Sequence, residues 1–108
     1  MEIHIPSRKI CEEFHLTYEL KGAQKAIDFL SDYYEIRRMK IALNGRKVGN
    51  GYDASYSRNI AHFKKRGLNK ANVLHEFFHH IAYLQGLEMT EPREEREANR
   101  FTREIRRR

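Results

Sequence analysis

The spacing of apolar residues predicts two helices at the start of the chain. Residues 7–16 and 23–34 both carry apolar side chains three or four positions apart, which is the period of an amphipathic helix. Ser7 suits the first position of the first helix because its hydroxyl can cap free backbone N–H groups. Gly22 separates the two segments, so we expect a pair of helices with a break at that glycine.

The period then changes to the alternation that is typical of strands. Residues 37–43 place Met39, Ile41 and Leu43 on one side, and shorter extended segments follow at 51–56 and 59–64. The dipeptide Asn44-Gly45 is typical of a tight hairpin turn. We therefore predict a small, three-stranded, mostly antiparallel sheet. Its exposed edge could hold an extended peptide through main-chain hydrogen bonds.

Two further helices are predicted after the sheet. One begins at Asn69 or Asn72, carries a broad apolar surface and ends before Gly86. The other begins near Thr90 or Glu91 and continues into the basic C-terminal residues, with an apolar stripe along one face. The whole pattern predicts one α+β domain that spans residues 1–108.

Composition narrows the class of protein. The chain has 108 residues, 40% of them hydrophobic, and no apolar stretch approaches the length of a membrane span. No signal peptide is visible, so we expect a soluble, cytoplasmic protein without membrane insertion. Cys11 is the one cysteine and has no internal partner, which agrees with a reducing compartment. We expect Cys11 to be a small buried apolar side chain rather than a thiolate ligand.

The net charge of +6 comes from 21 basic and 15 acidic residues, with dense basic runs at 64–66 and 106–108. Such runs can bind nucleic acid, but they are more often solvated edges and tails. No helix-turn-helix, paired zinc finger or RNP-type aromatic motif accompanies them, so nucleic acid is not an expected partner.

The residues with the clearest chemistry are His75-Glu76-Phe77-Phe78-His79, an H-E-x-x-H motif inside the apolar third helix. Residues four apart share a helix face, so His75 and His79 can bind one metal ion. Glu76 is rotated by one residue and can reach a water on that ion as a general base. The alternative is a core helix with two exposed histidines. Burying these polar groups without a partner would be costly, which favours the metal site.

A catalytic zinc site needs a third protein ligand. Metzincins take a histidine six residues beyond the motif, but Gln85 stands there, and no histidine follows His80. A carboxylate of the last helix remains, and helical geometry alone does not choose among its four candidates. Glu94 is nearest the centre of the apolar stripe. The others are Glu91, Glu95 and Glu97.

The segment Glu95-Arg96-Glu97-Ala98-Asn99 resembles the E-x-x-A-[DN] segment of gluzincins, metallopeptidases with a glutamate as third zinc ligand. The resemblance implies that Glu95 is that ligand and that Asn99 supports the site through a hydrogen bond. Residues 73–101 are similar to the core of the CAAX-prenyl and HtpX-type endopeptidases. They are also similar to the regulatory ImmA/IrrE-type peptidases. Size and element order are most similar to those of the minigluzincins, which are single soluble domains.

This resemblance implies a zincin-like domain with an active-site helix and a glutamate helix, binding one Zn²⁺. It implies an endopeptidase that cleaves peptide or protein substrates with a metal-bound water and Glu76 as general base. It also suggests a latent form, in which a terminal segment closes the cleft. Apart from the resemblance, the C-terminal residues 101–108 are one segment that could lie in the cleft of its own or a neighbouring molecule. One alternative is an ImmA/IrrE-type peptidase that cuts a specific partner, and another is a non-catalytic, basic, zinc-binding interaction module.

The residue that stabilises the oxyanion is left open by the sequence. The candidates are Tyr52, Tyr56, His62, His80 and Tyr83, and each of these residue types is more often structural than catalytic. His80 is off the ligand face by one residue and is expected at the surface or behind the ligands.

Overall fold

Four α-helices and a three-stranded sheet share one apolar core in the computed structural model, which describes residues 3–108. The architecture is α+β, as predicted. In chain order the elements are α1 (Arg8–Lys21), α2 (Ala23–Tyr34), β1 (Lys40–Leu43), β2 (Ala54–Ser57), β3 (Ile60–Phe63), α3 (Lys70–Gln85) and α4 (Glu91–Arg107). None of the helices among these residues is long and apolar enough to cross a membrane.

The predicted helix starts are confirmed by their capping hydrogen bonds. The side chains of Ser7, Asn69 and Thr90 each accept a bond from the backbone N–H three residues later. The first helix runs to Lys21, five residues beyond its predicted end at residue 16. Nothing in that extra turn opposes helix, and the chain turns only at Gly22, where φ is 92°.

The sheet is mixed, so the predicted mostly antiparallel pairing is wrong for one of its two strand pairs. The strand order is β1-β3-β2, with β1 parallel and β2 antiparallel to the central β3. Asn44 does not open a hairpin. A short 3₁₀ turn at Gly45–Lys47 begins a loop that carries the chain to the far edge of the sheet. The tight turn lies instead between β2 and β3, at Arg58 and Asn59, with φ angles of 47° and 72°.

Strand β2 is an edge strand with free hydrogen-bonding groups. Lys64 N–H donates to the Asp53 carbonyl over 2.9 Å, and Ser55 pairs with His62 in the same register. Because hydrogen-bonded pairs alternate along an antiparallel ladder, Ala54 and Tyr56 direct their backbone N–H and C=O groups away from β3. The structure thus confirms an exposed sheet edge next to the third helix.

A close backbone contact holds the start of β2 against the segment that leads into α3. A Cβ atom at Gly67 would lie 2.3 Å from the carbonyl oxygen of Asp53, a distance that a larger residue could not adopt without moving the backbone. Gly67 therefore fixes the position of the edge strand relative to the third helix.

The apolar stripe of α4 is buried against α3, as predicted. Ala98, Phe101 and Ile105 are almost fully enclosed, and Phe101 packs against Phe77 and Phe78 of α3. The segment 101–107 is thus anchored in the core as helix and does not lie in the cleft of its own molecule, contrary to one of our expectations.

Cys11 is fully buried on α1, as expected, with its Sγ 3.6 Å from the Pro6 carbonyl oxygen. Burial raises the pKa of the thiol, because the charged thiolate is poorly solvated there. Cys11 is therefore an apolar core residue.

Candidate metal centre

His75, His79 and Glu95 are brought together by the packing of α3 against α4. The Nε2 atoms of the two histidines are 3.3 Å apart. One carboxylate oxygen of Glu95 lies 2.8 Å from Nε2 of His75, and the other lies 3.1 Å from Nε2 of His79. These three residues thus form a cluster whose ligand atoms all lie within 4.8 Å of one another.

The spacing of these donor atoms suits a tetrahedral metal ion. Around a zinc ion with bonds of about 2.0–2.1 Å, neighbouring ligand atoms are roughly 3.4 Å apart. The two histidine nitrogens, 3.3 Å apart, are close to that value, and the two carboxylate oxygens of Glu95 lie 2.8 and 3.1 Å from one histidine each. Two imidazole nitrogens that face each other at 3.3 Å do not attract each other unless a proton or a cation lies between them. The donor set and its geometry therefore fit a metal ion.

Glu94 contacts the opposite nitrogen of His79. Its Oε2 accepts a hydrogen bond from Nδ1 of His79, so that the lone pair of Nε2 is directed towards His75 and Glu95. Sequence reasoning considered Glu94 only as a rival of Glu95 for the metal. The structure brings both carboxylates to the same imidazole from opposite sides. Glu97 lies elsewhere and pairs with Arg100 over 3.4 Å.

Replacing Glu94 by alanine should weaken metal binding by about 10- to 100-fold, because the ring of His79 would lose the carboxylate that orients it. The measurement is a competition titration of zinc or cobalt against a chromogenic chelator. Glu97→Ala is the matched control, since it removes the same charge from the same helix away from the cluster. Equal affinities for wild type and Glu94→Ala would exclude this orienting role.

Glu76 is buried beside the cluster, with 8% of its surface exposed. Burial raises the pKa of its carboxyl group, while positive charge on His79 and His75 would lower it. A carboxylate whose pKa is raised towards neutrality is a better proton acceptor and donor at neutral pH. Glu76 also lines the same open cleft as the two histidines.

This cleft has a volume of about 1200 Å³ and is bounded by β2 on one side and by α3 and α4 on the others. Tyr52 and Tyr83 line it with 68% and 56% of their surfaces exposed. His62 is not among the residues that line it. The edge strand, the cluster and Glu76 thus face a common space.

Asn99, the predicted supporting residue, is exposed on α4 one turn after Glu95. It lines a second, smaller groove together with His75. Within residues 3–108 no hydrogen bond joins its side chain to the cluster. Its supporting role stays a prediction.

His80 is not at the surface, contrary to one of our two expectations for it, and is wholly buried behind the ligand face. Its Nδ1 accepts from the Tyr56 hydroxyl over 2.7 Å, and its Nε2–H donates to the Arg37 carbonyl over 2.5 Å. The Tyr56 hydroxyl in turn accepts from the backbone N–H of Asn59 over 2.9 Å. Burial lowers the pKa of His80, which favours this neutral form. This network connects the edge strand β2 to the face of α3 that is turned away from the metal cluster.

The Tyr56 hydroxyl and both ring nitrogens of His80 are engaged in this hydrogen-bond network. Tyr56 and His80 are therefore no longer candidates for the residue that stabilises the oxyanion. Tyr52 and Tyr83 remain candidates, because both side chains are exposed and line the cleft.

Comparison with protein-family models, with curated proteins and with solved structures found no match for this chain.

Proposed function

We propose that this protein is a zinc-dependent endopeptidase of the gluzincin type, in which His75, His79 and Glu95 hold the ion. The observation that supports the proposal is the convergence of three donor atoms from two helices, next to a buried glutamate and an edge strand. Each feature has a part in peptide hydrolysis, and all of them face one cleft. The resemblance of residues 73–101 to the minigluzincins points to the same activity.

Zinc is the metal that we infer from the donor set. Two imidazole nitrogens and one carboxylate are typical ligands of a catalytic zinc ion, whereas structural zinc sites take four protein ligands. The cluster offers three such residues among those described, with one side turned to the cleft. A zinc ion there would supply Lewis acidity, which lowers the pKa of water and polarises a carbonyl group.

Glu76 is proposed to act as general base and then as general acid. Its carboxylate would accept a proton from the attacking water and would later give that proton to the departing amine. Its burial keeps the side chain away from bulk water and holds its pKa above the usual value for a glutamate.

Strand β2 is proposed to hold the substrate in extended form. The backbone groups of Ala54 and Tyr56 that face away from β3 can pair with a peptide laid along the strand. Such pairing would position a peptide bond of the substrate across the cluster. The hydroxyl of Tyr52 or Tyr83, which both line the cleft, would then donate a hydrogen bond to the carbonyl oxygen as negative charge develops on it.

The test is a peptide-cleavage assay on protein loaded with one equivalent of zinc. A mixture of unstructured peptides is incubated with the protein, and new termini are identified by mass spectrometry. We expect cleavage that 1,10-phenanthroline removes and added zinc restores. Absence of cleavage by the zinc-loaded protein, or cleavage that is insensitive to the chelator, would overturn the proposal.

A further inference from the structure

A second groove leaves the metal cluster between α3 and α4. It has a volume of about 490 Å³ and shares His75 with the main cleft. From His75 it extends along the second half of α4, past Asn99 to Arg103 and Arg106. A peptide that lies across the cluster and continues on this side of it would enter this groove.

Unpaired positive charge dominates the groove. Arg103 and Arg106 are exposed and form no ion pair with the carboxylates of residues 3–108, while Arg107 is paired with Glu104 over 3.1 Å. The amide of Asn99 adds hydrogen-bond donors, whereas the amide of Asn72 already donates to the Gly67 carbonyl over 2.8 Å. Exposed guanidinium groups bind carboxylates well because their N–H groups can donate two parallel bonds.

The main cleft carries negative charge on its α4 side, where Glu91, Glu94 and Glu95 lie. The charge along α4 thus changes sign from its start to its end. An occupant with a carboxylate would be attracted to the arginine groove and repelled from the glutamate end, which favours one orientation over the other.

We propose that the arginine groove binds a carboxylate of the peptide substrate, from either an acidic side chain or a free C-terminus. This inference rests on the proposed peptidase function. The rise of 1.5 Å per residue puts Arg103 roughly 12 Å along α4 from Glu95. An extended peptide advances about 3.3 Å per residue. The carboxylate therefore lies about three or four residues from the scissile bond.

Nucleic acid would also be attracted to these arginines, but a peptide fits the surroundings better. The groove shares His75 with the metal cluster and with the main cleft, which the edge strand β2 lines, and this continuity suits a polypeptide. The neighbouring glutamates would repel a run of phosphates.

The test compares labelled peptides that differ only in charge. Fluorescein-labelled alanine-glycine decapeptides carry Glu, Gln or Lys three or four residues from a central phenylalanine, on either side of it, each with a free or an amidated C-terminus. Binding to zinc-loaded Glu76→Gln protein is followed by fluorescence anisotropy, and cleavage by the wild type is followed in parallel. The variants are Arg103→Gln/Arg106→Gln and the control Arg100→Gln, an exposed arginine of the same helix that pairs with Glu97 outside the groove.

We expect a peptide with a carboxylate to bind and to be cleaved about three- to tenfold better than its Gln or Lys counterpart. Arg103→Gln/Arg106→Gln should abolish this preference, and Arg100→Gln should keep it. Comparison of free and amidated C-termini identifies the source of the carboxylate. Melting temperatures near that of the wild type show that the variants are folded.

Two results separate this inference from the peptidase proposal. If peptides are cleaved without any preference for a carboxylate, the groove inference is wrong while the peptidase stands. If nothing is cleaved but carboxylate-dependent binding requires Arg103 and Arg106, the groove stands and the peptidase does not. Arginine-dependent binding of a labelled twenty-nucleotide RNA, with no preference among the peptides, would assign the groove to nucleic acid and overturn the inference.

Discussion

Replacing Glu76 by glutamine is expected to leave metal binding intact and to lower the kcat of peptide hydrolysis by about 10²- to 10⁴-fold. The amide has nearly the same shape as the carboxylate but cannot accept the proton of the attacking water. The donor atoms of the metal cluster belong to other residues, so the affinity for the ion should change little. KM should also stay close to its wild-type value, because the substitution leaves the cleft its shape.

The measurement combines the bound-metal content of the purified variant with its steady-state kinetics on a cleaved peptide. Glu97→Gln is the matched control, because it makes the same chemical change on an α4 residue that pairs with Arg100 away from the cleft. Wild-type kcat in a metal-loaded Glu76→Gln protein would rule out the assigned proton transfer.

Replacing Glu95 by alanine should abolish stable metal binding. The two histidines would be left with no carboxylate on the Nε2 side, since Glu94 is engaged with Nδ1 of His79. Loss of a residue that only hydrogen-bonds to a metal ligand lowers the affinity by up to about 100-fold. Because Glu95 would bind the ion directly, we expect a larger loss of zinc affinity. Hydrolysis should fall with the bound metal.

Calorimetric titration with zinc measures this loss directly, and thermal unfolding gives an independent readout. A ligand that binds only the folded state raises its stability, so zinc should raise the Tm of the wild type but not that of Glu95→Ala. Glu97→Ala should behave as the wild type. Full zinc binding by Glu95→Ala would transfer the role of third ligand to Glu94 or Glu97.

The helices could be predicted from the sequence because their signals are local. A capping side chain at Ser7, Asn69 or Thr90 and a turn at Gly22 or Gly86 act within a few residues of the helix end. The strand pairing could not be predicted in the same way. The parallel contact between β1 and β3 joins segments about twenty residues apart, and its stability comes from packing rather than from any one turn.

The turn between β2 and β3 shows a second reason why the sheet could not be predicted from the sequence. Its two central residues, Arg58 and Asn59, both have positive φ, yet neither is a glycine. The Asn44-Gly45 dipeptide has the composition of such a turn but lies in a different structure. The preference of a residue type for a turn position is about a few tenths to one kcal/mol. A single tertiary contact can stabilise the fold by a similar amount, so it can offset that preference.

For the candidate site, the sequence supplied the residues and the structure supplied their arrangement. The four-residue spacing of His75 and His79 follows from helix geometry, but the choice of Glu95 came from family resemblance. Its approach to both histidines depends on how α4 packs against α3. The bond between Glu94 and His79 depends on the same packing, so the position of Glu94 near the centre of the apolar stripe does not by itself predict this contact.

The edge strand has a consequence for the kind of protein that a peptidase of this shape would degrade. Strand β2 has four residues, and only Ala54 and Tyr56 among them offer free backbone groups. A chain segment can pair with them only after it has left its own helix or sheet. Folded proteins would therefore be consumed at a rate set by the free energy of their local opening, and unfolded chains would be removed first. Under the proposed activity, this strand makes the enzyme a sensor of conformational instability in its substrates.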